Sequence, residues 1–191
     1  RGPANAAADD WAMRIEAPSF VPMSSDDFWD VSPAQIEACE DWAATVILRN
    51  LPCPFLREDL IKVMDKMGFM GIYNLVYMPI DFVTELSMGY AFVNMCTNED
   101  AQRFMAAFHG FRDWPRSCWP TSKTCAVDLS RTQGLARNVN RYRNSPVMAE
   151  GVPEKFRPVL FNGTQRVAFP GPTRELPPVL HIPGGQLTQL Q

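Results

Sequence analysis

Residues 88–95 read Met-Gly-Tyr-Ala-Phe-Val-Asn-Met. On an extended strand, side chains alternate between faces, so Tyr90, Phe92 and Asn94 share one side and Gly89, Ala91, Val93 and Met95 the other. The small and aliphatic side suits a helix packed against it. The opposite side offers two rings with an amide beside them, a surface on which unpaired bases can lie flat. The competing use of the same rings is an ordinary core. Asn94 on the ring side can hydrogen-bond a base edge or simply be solvated.

Two further groups have the right chemistry to join such a surface. In the β-rich run 45–51, Ile47 and Arg49 fall on one face, giving an apolar contact and a cation for phosphate or for Asp128 across the sheet. Arg131, Arg137, Arg141 and Arg143 form an acid-free run. If 133–142 is helical, Arg137 and Arg141 stand on the same side, four residues apart. Guanidinium groups so placed can follow a sugar-phosphate backbone, although the commoner use of such a run is a solvated helix face.

The elements that must position these residues follow from periodicity. Residues 45–51 form a strand ending at Pro52. Residues 56–67 place Leu56, Leu60, Ile61, Val63, Met64 and Met67 at helical spacing, with Arg57, Glu58, Asp59, Lys62, Asp65 and Lys66 outside and Gly68 as the stop. A strand over 72–78 closes at Pro79, and a long loop, 79–87, leads to the ring-bearing strand. Residues 98–109 form a second helix with Ala101, Phe104, Met105 and Phe108 as its stripe. Residues 125–130 form a fourth strand.

The order β-α-β-β-α-β predicts an α+β domain, a ferredoxin-like four-stranded antiparallel sheet with two helices on one face. The C-terminal helix over 133–142 would extend it. Tyr73 and Tyr77 default to core, and 111–123, with Trp114 and Trp119, is read as a small hairpin or lid anchored by its tryptophans. The organisation expected is an acidic, largely disordered segment over 1–44 with a short helix starting at Ser32-Pro33, the main domain with its C-terminal helix over 45–143, an ordered extension over 144–163, and a disordered Pro/Gly/Gln-rich tail over 164–191.

Charge and composition narrow the classes. The net charge of −3 hides nine acids against two basic residues in 1–44 and sixteen basic residues against twelve acids thereafter. The folded part therefore tolerates a polyanionic partner. Five cysteines without paired spacing and two histidines point to reduced intracellular thiols, nuclear or cytoplasmic, with no metal and no cofactor. The longest uncharged apolar stretch, 67–80, has 14 residues, too short to span a bilayer. No serine elbow, phosphate loop or zinc signature is present, and Gly184-Gly185-Gln186 has no surrounding domain to make it catalytic, so no enzyme is expected.

The ordered pieces resemble an RNA-recognition motif (RRM). Val46-Ile47-Leu48-Arg49-Asn50-Leu51 is similar to its short motif, and Gly89, Tyr90, Ala91, Phe92 and Val93 match its long one, with departures at Met88, Met95 and Ile47. Residues 45–52, 71–82, 89–95, Arg131-Thr132-Gln133-Gly134 and Arg157-Pro158-Val159-Leu160-Phe161 together resemble the C-terminal RRM of the Mei-two-like RNA-binding proteins. The resemblance implies single-stranded RNA as partner and a role in meiotic or developmental RNA regulation; the chain is expected to be a monomer. Its RNA-contacting set would be Ile47, Arg49, Tyr90, Phe92, Asn94, Arg131, Arg137 and Arg141. The rival partner is a protein: an RRM-like module taking an acidic, aromatic peptide such as Asp26-Asp27-Phe28-Trp29-Asp30, a segment that can also mask the chain's own sheet.

Overall fold

The computed structural model describes residues 44–176. The predicted helix after Ser32, the acidic aromatic segment 26–30 and Gly184-Gly185-Gln186 lie outside the described residues.

Six strands form one antiparallel sheet in the order β4-β1-β3-β2-β5-β6: β1 Thr45–Arg49, β2 Tyr73–Tyr77, β3 Tyr90–Met95, β4 Ala126–Leu129, β5 Val159–Asn162 and β6 Gln165–Val167. Helices α1 (Arg57–Met64) and α2 (Asn98–Phe108) cover one face, as the sequence pattern requires. In α1, the Asp59 carboxylate accepts the Leu56 N–H at 3.2 Å, satisfying an otherwise unpaired donor at the helix start. The helix runs on through a wider turn, Asp65–Phe69, and stops where Gly68 takes φ +88°, a conformation that favours glycine. In α2, the Thr97 hydroxyl accepts the Asp100 N–H at 3.1 Å. The predicted stripe of α2 buries Ala101, Phe104 and Phe108; Phe104 stacks on Phe108 at 4.3 Å, and both face Phe69. Each fully buried ring contributes about 1.5–3 kcal/mol by leaving water.

Three expectations need correction. The sheet has six strands rather than four, because the C-terminal extension adds the hairpin β5–β6 along the otherwise open edge of β2. An unpaired edge is an aggregation hazard, and a short, polar last strand blunts the new one. The ordered part therefore continues past 163 through β6. The tryptophan segment holds a single 3-10 turn, Arg116–Cys118, rather than a hairpin. Trp114 is buried against Phe55 and Phe111 and donates to the Lys123 carbonyl at 2.7 Å, while Trp119 stays exposed.

Arg57, read as an outer residue of α1, is 2% exposed. The extension wraps over it. Arg57 Nη1 donates to the carbonyl oxygens of Glu154 and Arg157, and Nη2 reaches the Glu154 carboxylate at 2.9 Å. Glu58 bonds both Arg57 and Arg166 of β6. Burial works to raise the Glu58 carboxyl, but the hydrogen bonds from Arg166 and Arg57 outweigh it and hold its pKa below the ordinary carboxylate range. A carboxyl depressed on folding stabilises the fold above its unfolded pKa and loses that contribution as pH falls through the folded value. The hairpin should therefore loosen as the solution is acidified below about pH 4. Hydrogen exchange at β5 and β6 measures this, and Glu58→Gln should flatten the pH dependence.

Candidate nucleic-acid interface

The face of the sheet away from α1 and α2 carries the ring pair. Strand register sets it out in rows. Asp128, Ile47, Phe92 and Tyr77 are cross-strand neighbours in one row, and Ala126, Arg49 and Tyr90 lie in the next. Gly89, Ala91, Val93 and Met95 point the other way; the last three are fully buried in the core. Tyr90 and Phe92 are half-buried and stand outside that core, edge to face at 5.8 Å. Their one-sided exposure leaves a π surface open to a flat ligand.

A bulge decides what joins them. Tyr73 pairs with Met95, but Leu75 pairs with Asn94, so Asn74 is an extra residue in β2. Tyr73 consequently enters the core and donates to Asp65 at 2.7 Å, as its default reading holds. Leu75 and Tyr77 turn to the ring face. Tyr77 is thus not an ordinary core residue: it lies beside Phe92 and 4.7 Å from the ring of Tyr142.

Tyr142 belongs to α3 (Leu135–Arg143), the predicted C-terminal helix, which lies across this face and covers its β2 half. Val139 and Tyr142 are buried on its underside. Burial pushes the hydroxyl of Tyr77 up to about 12 and raises that of Tyr142 further. Tyr142 is therefore a packing residue, and its hydroxyl has no hydrogen-bond partner among the described residues.

The Arg131-Thr132-Gln133-Gly134 segment explains how α3 is held. The Gln133 side chain accepts the Thr45 N–H at 2.8 Å and donates to the Thr45 carbonyl at 2.8 Å. Gly134 takes φ +84° at the helix start, and its N–H donates to the Thr45 hydroxyl at 3.0 Å. Asn138 Nδ2 donates to the same hydroxyl at 3.2 Å. At the other end, Arg143 donates to the Gly171 carbonyl, and the Asn144 side chain accepts from Thr173. The helix is fastened at both ends.

That fastening removes one expected contact. Asn94 is 3% exposed: its Oδ1 accepts the Thr45 hydroxyl at 2.5 Å, and its Nδ2 donates to Asn74 and to the Met95 carbonyl. It lies on the ring face as alternation requires, but its amide is spent on the lattice of bonds beneath α3 and has nothing to offer a base.

The other expected residues border the open half. Ile47 is half-buried between Asp128 and Phe92. Arg49 is exposed beside Tyr90, with its Nε 3.7 Å from Asp128, so the cross-strand partner and the ring-side position both hold for it. Arg141 donates to the Thr132 hydroxyl at 3.1 Å and lies 6.0 Å from the Tyr142 ring. Arg131 and Arg137 are exposed. The arrangement is a two-ring shelf with cations on β1 and on the helix crossing it. Among the described residues, no three His, Cys, Asp or Glu side chains gather to hold a metal ion.

The chain is similar in sequence to known proteins. The family model for RNA recognition motif 2 matches residues 43–143. Protein MEI2-like 5 of Oryza sativa subsp. japonica is 34% identical over 128 residues, covering 67% of this chain, and Protein MEI2-like 5 of Arabidopsis thaliana is 31% identical over 123 residues, covering 64%. The matched region spans 15% of the length of each of these relatives. Among solved structures, the Rna15 RRM with bound GU RNA is 18% identical with a TM-score of 0.40, covering 49% of this chain and 88% of that one. The shelf, the split β-α-β-β-α-β order beneath it and the sequence match agree: the chain belongs to the RNA recognition motif 2 family, in the form carried by the MEI2-like proteins.

Proposed function

We propose that the domain binds a short stretch of single-stranded RNA across Tyr90 and Phe92. The observation that carries this reading is the half-burial of both rings on the open part of the sheet, outside the core that α1 and α2 seal. Bases stack on the two rings, Ile47 gives apolar contact between them and β4, and Arg49, Arg131, Arg137 and Arg141 neutralise phosphates. Because α3 occupies the Tyr77 side, the shelf accommodates few bases. In this reading the bound transcripts serve meiotic or developmental regulation, and the domain works inside the cell.

A duplex cannot use this surface, because its bases are already stacked on each other. The test is binding to a random-sequence RNA pool, offered single-stranded and as annealed duplex. Single strands should be retained, with affinity falling as salt rises. Equal retention of duplex, or no retention of either, rules the reading out.

A further inference from the structure

The shelf contains one group that does not suit a polyanion. Asp128 sits in the same row as Ile47 and Phe92, on the edge strand β4, with its side chain 63% exposed. Its ion-pair partner is Arg49, whose Nε lies 3.7 Å away with the side chain 58% exposed. A pair so long and so open to water holds its members weakly, so the carboxylate is available to another donor.

Resting on the RNA reading above, we propose that Asp128 is the specificity-determining residue of the shelf and that it reads the Watson–Crick edge of a guanine stacked on Phe92. The geometry leaves one direction for such a base. On the β2 side of Phe92 stands Tyr77, and Tyr142 packs 4.7 Å from it and 6.4 Å from Phe92. A base lying on Phe92 therefore spreads the opposite way, over the apolar side chain of Ile47. Neighbouring strands are about 4.8 Å apart, so Asp128 lies about 10 Å from Phe92 along the row. A purine laid across Ile47 brings its far edge to the carboxylate.

The chemistry then selects the base. A carboxylate only accepts hydrogen bonds. Guanine alone presents two adjacent donors on that edge, N1–H and the N2 amino group, which match the two carboxylate oxygens. Cytosine and adenine each set a lone pair beside their amino group, and uracil flanks its N3–H with two carbonyl oxygens, so each offers the carboxylate at most one hydrogen bond beside a repelling acceptor. Arg49, released from Asp128, remains beside Tyr90 for the neighbouring phosphate.

The test measures the full chain by fluorescence anisotropy against a short oligouridylate and against strands in which one uridine is replaced in turn by guanosine, cytidine or adenosine. The wild-type protein should bind the guanosine strand about tenfold more tightly than the others. Asp128→Ala and Asp128→Asn should both erase that preference while binding oligouridylate as well as the wild type or better, since a negative charge has left the phosphate path. A guanosine preference that survives in both variants overturns the proposal, as does an equal loss of affinity for every strand. If the wild type binds single strands with no preference for guanosine, this assignment fails and the stacking shelf stands. If no strand binds at all, the shelf itself fails first and takes the assignment with it.

Discussion

Replacing Tyr90 and Phe92 together by alanine is expected to abolish binding of single-stranded RNA and to shift the melting transition by only a few degrees. Each base stacked on an aromatic side chain is worth about 1–3 kcal/mol. Loss of both rings therefore costs on the order of a hundredfold in affinity or more. The stability term is smaller, because neither ring belongs to the core that α1 and α2 enclose. Truncation of a fully buried ring such as Phe104 would cost about 3–5 kcal/mol, through lost transfer energy and a residual cavity. Half-exposed rings leave no closed cavity behind. Calorimetry and anisotropy on the same preparation separate the two effects. A melting loss comparable to that of Phe104→Ala, with full affinity in the molecules still folded, would mean that the rings are packing residues and the shelf is not a binding surface.

Arg57→Ala is expected to cost about 3 kcal/mol of stability, most of it felt where the extension meets α1. The guanidinium is 2% exposed and satisfies two backbone carbonyls, of Glu154 and Arg157, besides the Glu154 carboxylate. Hydrogen bonds from a charged donor are worth about 1.5–3 kcal/mol each when the acceptor is otherwise left dry. The Glu154 and Glu58 side chains are open to water, 71% and 43% exposed, so they recover solvation when the cation goes. The full penalty of a stranded buried charge therefore does not apply. For a domain of this size the melting temperature should fall by about 10 °C, and limited proteolysis should begin in the extension around Glu154. Arg57→Lys should recover only part of the loss, because one ammonium cannot bridge two carbonyls and a carboxylate with the geometry of a planar fork. Wild-type melting in Arg57→Ala would show that the wrap contributes nothing to the fold.

The strands and the two covering helices were legible because their signals are local. Alternation of Tyr90, Phe92 and Asn94 with Ala91, Val93 and Met95 fixes which side faces the helices, and the spacing of Ala101, Phe104 and Phe108 fixes the buried side of α2. What escaped depends on partners far along the chain. Arg57 carries every mark of an outward-facing helix residue, and only Glu154 and Arg157, 97 and 100 residues later, bury it. Asn94 has the right phase for the binding face, yet α3 and Thr45 close over it. Tyr77 is re-aimed by the single extra residue at Asn74, and no periodicity announces a bulge. Strand β6 is too short and too polar to read as a strand until β5 supplies its partner. The Arg-Thr-Gln-Gly segment shows the reverse case: it was legible as a family feature, and the physical task of its Gln133 and Gly134 is anchoring α3 through Thr45.

The double fastening of α3 sets a direction for any polymer on this sheet. With the helix clamped at Thr45 on one side and at Gly171 and Thr173 on the other, the bare strip runs beside it from β4 toward the Tyr90 end of β3. A nucleotide chain then has a single corridor whose ends differ, Asp128 at one and Tyr90 at the other, so the bases placed at each end are not interchangeable. Reversing the order of the same nucleotides should therefore make a different ligand.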